Sequence, residues 1–279
     1  MTPTELAFVD STTLKRVAVV TTAYRSTCSA AGSTLFAFAR ANGPCTVDRF
    51  DGTVSPGPML LPGTCTSEDG YRLAAAGSSL FVSRGDDALR VCRISSSTLD
   101  DDGLIHLEDR ARGVKQLVGL ADGRLLMPVR RVVREFRGAN VQRDFQATAR
   151  IAHLCAGAAS RIWYSAWDDT GDRIARVMLA KLEPGLATLA TLATLAARIV
   201  HLASSPDGAA AVLAVDEAGW LIVVLDDAGR ERRRIRVPEQ VVANGLGDAF
   251  VGLTATTVVL DARSRGLFGW SVATGASVE

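Results

Sequence analysis

The chain has 279 residues, enough for one large all-β domain or two ordinary ones. Its 31 Lys and Arg against 30 Asp and Glu leave a formal charge of +1, which excludes a global field that would hold it on nucleic acid or an anionic membrane. The 48% of hydrophobic residues exclude a disordered chain, and five scattered cysteines without a CxxC pair (Cys28, Cys45, Cys65, Cys92, Cys155) signal neither a disulfide framework nor a zinc knuckle. Buried, reduced thiols are expected.

The opening MTPTELAFVDSTTLKR lacks a basic leader followed by an apolar run, so no secretory signal is expected. It predicts strands over residues 6–9 and 16–20. Next comes Ala30-Ala31-Gly32-Ser33-Thr34-Leu35-Phe36, which returns 45 residues later as Ala75-Ala76-Gly77-Ser78-Ser79-Leu80-Phe81 with six of seven letters unchanged. Small turn residues closing a hairpin, followed by an apolar β run, give this shape its physical meaning. It recurs at Asp122-Gly123, Ser160-Arg161, Asp207-Gly208 and Gly247-Asp248. Anchored on Gly32, Gly77, Gly123, Ser160, Gly208 and Gly247, the spacings are 45, 46, 37, 48 and 39. A second echo, Arg150-Ile151-Ala152-His153-Leu154 into Arg198-Ile199-Val200-His201-Leu202, is shifted by 48.

One repeat reads nearly in full. A strand over residues 199–203 meets the turn Ser205-Pro206-Asp207-Gly208, a second strand spans 212–215, a third 220–225, and a polar fourth 232–237. The tract Leu186-Ala187-Thr188-Leu189, continuing to Leu195, carries leucine at every third position and reads equally as helix or outer strand. Periods of 40 to 50 residues built of four short strands predict a β-propeller of antiparallel four-stranded sheets, in a single domain over residues 1–279. Six anchors imply six blades. The two N-terminal strands either complete the last blade or make a seventh.

The segments SPDG, AVLAVDEAG and WLIVVLDDAG resemble WD40-like repeats, and AFVGLTATTVVLDARSRGLFGWSVATG resembles quinoprotein-dehydrogenase repeats. The resemblance implies the propeller fold alone. The regularly repeated Trp-Asp of true WD40 blades is missing, Trp167-Asp168 being the one such pair in the sequence, and no quinone or other cofactor is implied.

Counting back seven from each anchor gives Arg25, Gly70, Gln116, His153, His201 and Gln240, polar but for the glycine and set among Val, Ile and Leu. Strand alternation predicts that Arg25, Gln116, His153, His201 and Gln240 line a central channel, where Arg25 would pair an anion and the glutamines orient it. A wet channel wants polar lining without any ligand, which is the plainer explanation. Zinc between His153 and His201 would need a third ligand from Glu68 or Asp69, and Asn244 only loosely suggests the carboxylate and Asn set of metal lactonases. No metal site is assigned. GxSxG, a nucleotide-binding glycine loop and HExxH are all missing from the sequence.

Two arginine runs, Arg130, Arg131, Arg134, Arg137 and Arg230, Arg232, Arg233, Arg234, Arg236, read as solvated outer edges, with docking of an acidic protein as the alternative. Nucleic acid is not expected, since no aromatics interleave them. The leading expectation is therefore a non-catalytic interaction scaffold in a bacterial, cytoplasmic multi-protein assembly, for example beside an ATPase or a regulatory enzyme. No apolar run reaches bilayer length. A small-molecule hydrolase or lyase working at the channel mouth is the alternative.

Overall fold

The computed structural model describes residues 5–10, 13–21, 24–29, 34–39, 46–51, 57–60, 72–84, 88–94, 99–106, 116–158, 160–167, 175–183, 185–191, 197–242, 249–262 and 265–278. Among them, β1 (Glu5–Val9) and β2 (Arg16–Thr21) pair with each other, and six four-stranded antiparallel sheets follow. None of the described helices is long and apolar enough to cross a membrane. Contacts divide the chain into two compact units, one of Met1–Phe8, Arg16–Val129 and Val133–Asp144, the other of Val9–Lys15, Arg130–Val132 and Phe145–Glu279.

The first unit carries three sheets, each a meander in chain order. They are β3 (Tyr24–Ser29), β4 (Thr34–Ala39), β5 (Thr46–Asp51), β6 (Gly57–Leu60); β7 (Arg72–Ala76), β8 (Ser79–Arg84), β9 (Ala88–Ile94), β10 (Leu99–His106); and β11 (Val118–Gly119), β12 (Arg124–Val129), β13 (Val132–Arg137), β14 (Asn140–Gln146). The leading strands β3, β7 and β11 are neighbours. Alternation decides which face each side chain serves. Leu73 and Ala75 pack with Phe36, Val47 and Leu80, whereas Ala74 and Ala76 pack with Phe81, Leu125, Met127 and Phe136. A sheet covered on both faces needs apolar residues at successive positions, which is why β7 and β12 read as runs. Each fully buried Leu or Val contributes about 1.5–3 kcal/mol.

The second unit repeats the plan. Its sheets are β15 (Arg150–Ala156), β16 (Arg161–Trp167), β17 (Ala175–Glu183), β18 (Gly185–Thr191); β19 (Arg198–Ser204), β20 (Ala210–Asp216), β21 (Gly219–Leu225), β22 (Glu231–Arg236); and, after the one-turn helix α1 (Glu239–Val242), β23 (Phe250–Leu253), β24 (Thr257–Asp261), β25 (Leu267–Ser271), β26 (Ser277–Val278). Ala210, Val212 and Ala214 of β20 pack with Trp163, Val177 and Leu179, while Ala211 and Leu213 face Val251, Val258, Leu260 and Trp270.

The turn glycines of the repeat have a double function. Gly77, Gly123 and Gly208 hold positive φ (56°, 88° and 91°), which favours a residue without Cβ. They also stand where sheets meet. A Cβ on Gly77 would lie 3.0 Å from Gly123 Cα, and one on Gly208 would lie 2.5 Å from Ala158 Cβ. The Trp163 indole donates to the Gly208 carbonyl at 2.9 Å, tying the fourth sheet to the turn of the fifth.

Two open sequence readings are narrowed and one expectation changes. The leucine tract is a strand, β18, up to Thr191, its remainder lying outside the described residues. β1 and β2 do not complete the last sheet, whose fourth strand is β26. Gly247 does not close the sixth repeat's leading hairpin, for that turn is Thr254 to Thr257, in which Thr254 Oγ1 accepts the N–H of Thr257 at 2.9 Å. With Thr256 as anchor, the last interval becomes 48, equal to that from Ser160 to Gly208.

Candidate functional site

Within the second unit the leading strands β15, β19 and β23 run side by side. β15 and β19 have matching registers. Each leaves one residue unpaired in a β-bulge, Ala152 between Ile151 and His153 and Val200 between Ile199 and His201. A bulge re-aims the residues beside it. Here both isoleucines are buried and both histidines are part-buried. On β23, counting from the hairpin turn places Phe250, paired with Asp261, where β15 has His153, paired with Ser165.

The three rings form a row. His153 and His201 have centroids 6.4 Å apart, and His201 and Phe250 have centroids 5.0 Å apart, both pairs edge to face. Phe250, at the end of the row, is 43% exposed. His153 Nδ1 lies 2.8 Å from Oγ of the fully buried Ser165, a bond whose donor follows the tautomer. His201 Nδ1 accepts the N–H of Val251 at 3.3 Å, which leaves its proton on Nε2. Burial lowers the His153 pKa below its usual value; burial and then the like charge of His153 bring His201 down to about 4. The row is uncharged at neutral pH, with an apolar ring at one end and imidazole N–H and lone pairs beside it.

The other expected site residues fare differently. In the first unit, Gln116 stands two residues before β11, part-buried and with a polar partner. Arg25 is on β3, but in the bulge between Tyr24 and Ser26, so Ser26 takes the register of His153, and the Arg25 side chain lies outside what is described. Gln240 is not on a leading strand. It sits exposed in α1, because the anchor at Gly247 was nine residues too early for β23. Arg72 pairs with buried Ser83 as His153 pairs with buried Ser165, a position the count gave to Gly70, which lies outside the described residues. Phe250 was missed because a search for polar residues passes over it. The signal available was the Thr254-Ala255-Thr256-Thr257 turn four residues on.

Glu68, Asp69 and Asn244, weighed as metal or channel residues, also lie outside the described residues. Among the described residues, three or more His, Cys, Asp or Glu do not gather at any one point. Cys92 and Cys155 are buried, and burial pushes the Cys155 thiol up to about 12. His106 is exposed on the edge strand β10.

The arginine runs are largely engaged. Arg134 grips Asp144 with two bonds of 2.9 Å. On β22, the edge strand of its sheet, Arg234 pairs with Glu231 at 2.8 Å and Arg236 reaches Asp216 at 2.7 Å, while Arg233 donates to the Ala273 carbonyl. Arg230 Nε holds Asp226 at 2.7 Å across the preceding turn. The Arg236 guanidinium holds the Asp216 carboxyl below its usual range.

No protein-family model matches the sequence, and no curated protein does. Solved structures match over nearly the whole chain. The Dos1 propeller is 9% identical with a TM-score of 0.63, covering 98% of this chain and 72% of that one. The WD40 β-propeller domain of Doa1 is 13% identical at 0.60, covering 92% and 82%. The β-propeller domain of Cps50 (Swd1) from Myceliophteria thermophila is 11% identical at 0.64, covering 95% and 89%. At these identities the likeness is one of fold, and it agrees with the expectation from the repeats: the chain has the all-β architecture of the propellers.

Proposed function

We propose that this chain is a non-catalytic protein-interaction module, a six-bladed β-propeller that takes part in a cytoplasmic, bacterial multi-protein assembly. Six four-stranded sheets support the blade number, and the Ala, Arg, Gly and Val bias supports the origin. The observation that carries the function is the ring row of the second unit. An aromatic side chain left 43% exposed beside two neutral imidazoles, on strands fixed by buried cores on both faces, is the chemistry of a partner-binding hot spot. The rigid strands hold the row in place before a partner arrives, which reduces the ordering cost of association.

Affinity capture from the source organism tests the reading. Proteins enriched on the wild-type chain should be lost from Phe250→Glu, a substitution at an exposed position. A capture profile unchanged by Phe250→Glu and by His201→Gln, with both variants folded, overturns it.

A further inference from the structure

The arginines that stand out in the sequence are largely spoken for by carboxylates and carbonyls, whereas Arg130 of the first run and two arginines outside the runs are left over in the second unit. β15 and β19 each begin with an exposed arginine, Arg150 and Arg198. The two have the same register: Arg150 pairs with Trp167 and Arg198 with Val215, each one step before a paired isoleucine and three before a ring-row histidine. β15 and β19 lie side by side, and the histidines three residues on from Arg150 and Arg198 have ring centroids 6.4 Å apart. Arg130 joins them. The N–H of Ile151, the residue after Arg150, donates to the Arg130 carbonyl at 2.7 Å, which seats the exposed Arg130 at the start of β15.

None of the three guanidiniums has a side-chain partner among the described residues. The ion pairs described in the second unit use Arg230, Arg234 and Arg236. A guanidinium without a carboxylate keeps its full fork of donors for an incoming one. Three such arginines, two on the neighbouring strands that carry the uncharged row and one bonded through its backbone to the first of them, add local positive charge in a chain of net charge +1.

We propose that Arg130, Arg150 and Arg198 form a docking surface for a carboxylate-rich segment of a partner protein, set beside the ring row. The surface supplies charge and the row supplies an apolar anchor, so the segment it fits is acidic with an apolar residue at one end. This rests on the protein-interaction reading above and adds to it the chemistry of the partner. An acidic peptide is favoured over nucleic acid because the row carries a single exposed phenylalanine, whereas single strands are held by successive stacking aromatics.

The test uses a fluorescein-labelled peptide of twelve glutamates, read by anisotropy at 50 mM salt, with a twelve-residue oligothymidylate as comparison. The combined Arg130→Ala, Arg150→Ala, Arg198→Ala variant should weaken peptide binding at least 10-fold. Removing three charges from β22 instead (Arg232→Ala, Arg234→Ala, Arg236→Ala) should change it less than 2-fold, and raising the salt to 200 mM should weaken the wild type. Should the triple variant not fold, the pair Arg150→Ala, Arg198→Ala should still lose at least 3-fold. No binding of the peptide by the wild type, an equal loss in the β22 variant, or tighter binding of the oligothymidylate through the same arginines overturns the proposal. Capture of partners that depends on Phe250 but not on the three arginines would overturn this surface while leaving the interaction reading intact.

Discussion

Replacing Gly208 by alanine tests the claim that the turn glycine is fixed by two demands at once. Its φ of 91° puts an L residue in the left-handed half of the map, which costs about 1–2 kcal/mol. The new methyl would stand 2.5 Å from Ala158 Cβ and 2.9 Å from Ala158 N, so the turns of two sheets must part, an overpacking cost of about 1–3 kcal/mol. Parting them also stretches the 2.9 Å bond from the buried Trp163 indole to the Gly208 carbonyl, worth about 1 kcal/mol. The expected loss is about 3 kcal/mol, a large share of the 5–15 kcal/mol typical of a whole domain. Ser160 provides the opposite sign. It stands at the same place in the preceding repeat, exposed and at φ 60°, with a side chain the backbone does not favour. Ser160→Gly relieves that strain and gives back about 0.4–1 kcal/mol through the freer unfolded chain, for a net gain of about 0.5 kcal/mol. Urea unfolding followed by tryptophan fluorescence reads both: with slopes of about 1–3 kcal/mol per molar, Gly208→Ala should move the midpoint down by about 1–3 M. A Gly208→Ala midpoint within 0.2 M of wild type would refute the reasoning, as would a marked loss on Ser160→Gly.

The His201 ring titrates near 4 when folded and near its ordinary 6.5 when unfolded, so between those values the unfolded chain holds more protons and stability falls as the pH falls. The contribution is complete above about pH 6.5 and lost by about pH 4, at most about 3 kcal/mol, and His201→Gln should flatten the urea midpoint across that window. In the first unit, Glu135 is 4% exposed and holds Arg124 at 3.2 Å and Arg143 at 3.4 Å, so Glu135→Ala takes one of two carboxylates from the buried Arg124, which keeps Asp122 at 2.7 Å, and should cost about 1–3 kcal/mol; wild-type stability for that variant in the same urea assay would sink the argument. Trp163→Phe keeps the ring but leaves the Gly208 carbonyl without its donor, and calorimetry should show a loss of about 1–3 kcal/mol.

The parts of the fold legible in the sequence are those where local chemistry and the repeat agree. Gly77 and Gly208 marked the hairpins because the turn and the seam both favour glycine, and Gly123 because its turn does, a Cβ there meeting no neighbour within 4 Å. His153 and His201 emerged because their repeats have three-residue turns and matching bulges, so a fixed count lands on equivalent positions. The count drifts where the backbone changes length. β7 and β8 are joined by a two-residue turn, which moves the equivalent position to Arg72. The last hairpin turns on threonine hydroxyls in place of glycine, and that cost both Gln240 and Phe250. A bulge in β3 likewise separates Arg25 from the register of the row. The unpaired status of Arg150 and Arg198 depends on carboxylates far along the chain choosing other arginines, and periodicity carries no trace of that choice.

The bond from Trp163 to Gly208 also sets a clock. Its donor and acceptor are 45 residues apart, and the Val251 N–H that satisfies His201 is 50 residues further along. At a synthesis rate of about 5–20 residues per second, each sheet leaves the ribosome roughly 2–10 s before the sheet that completes its polar groups. During that interval the seam-facing indole of Trp163 and the ring of His201 are uncovered, so the nascent chain passes through a succession of unfinished edges, each closed only by the repeat after it. Synonymous codon changes that slow translation between residues 168 and 208 would lengthen that exposure for the fourth sheet and should raise aggregation without altering a single residue of the finished protein.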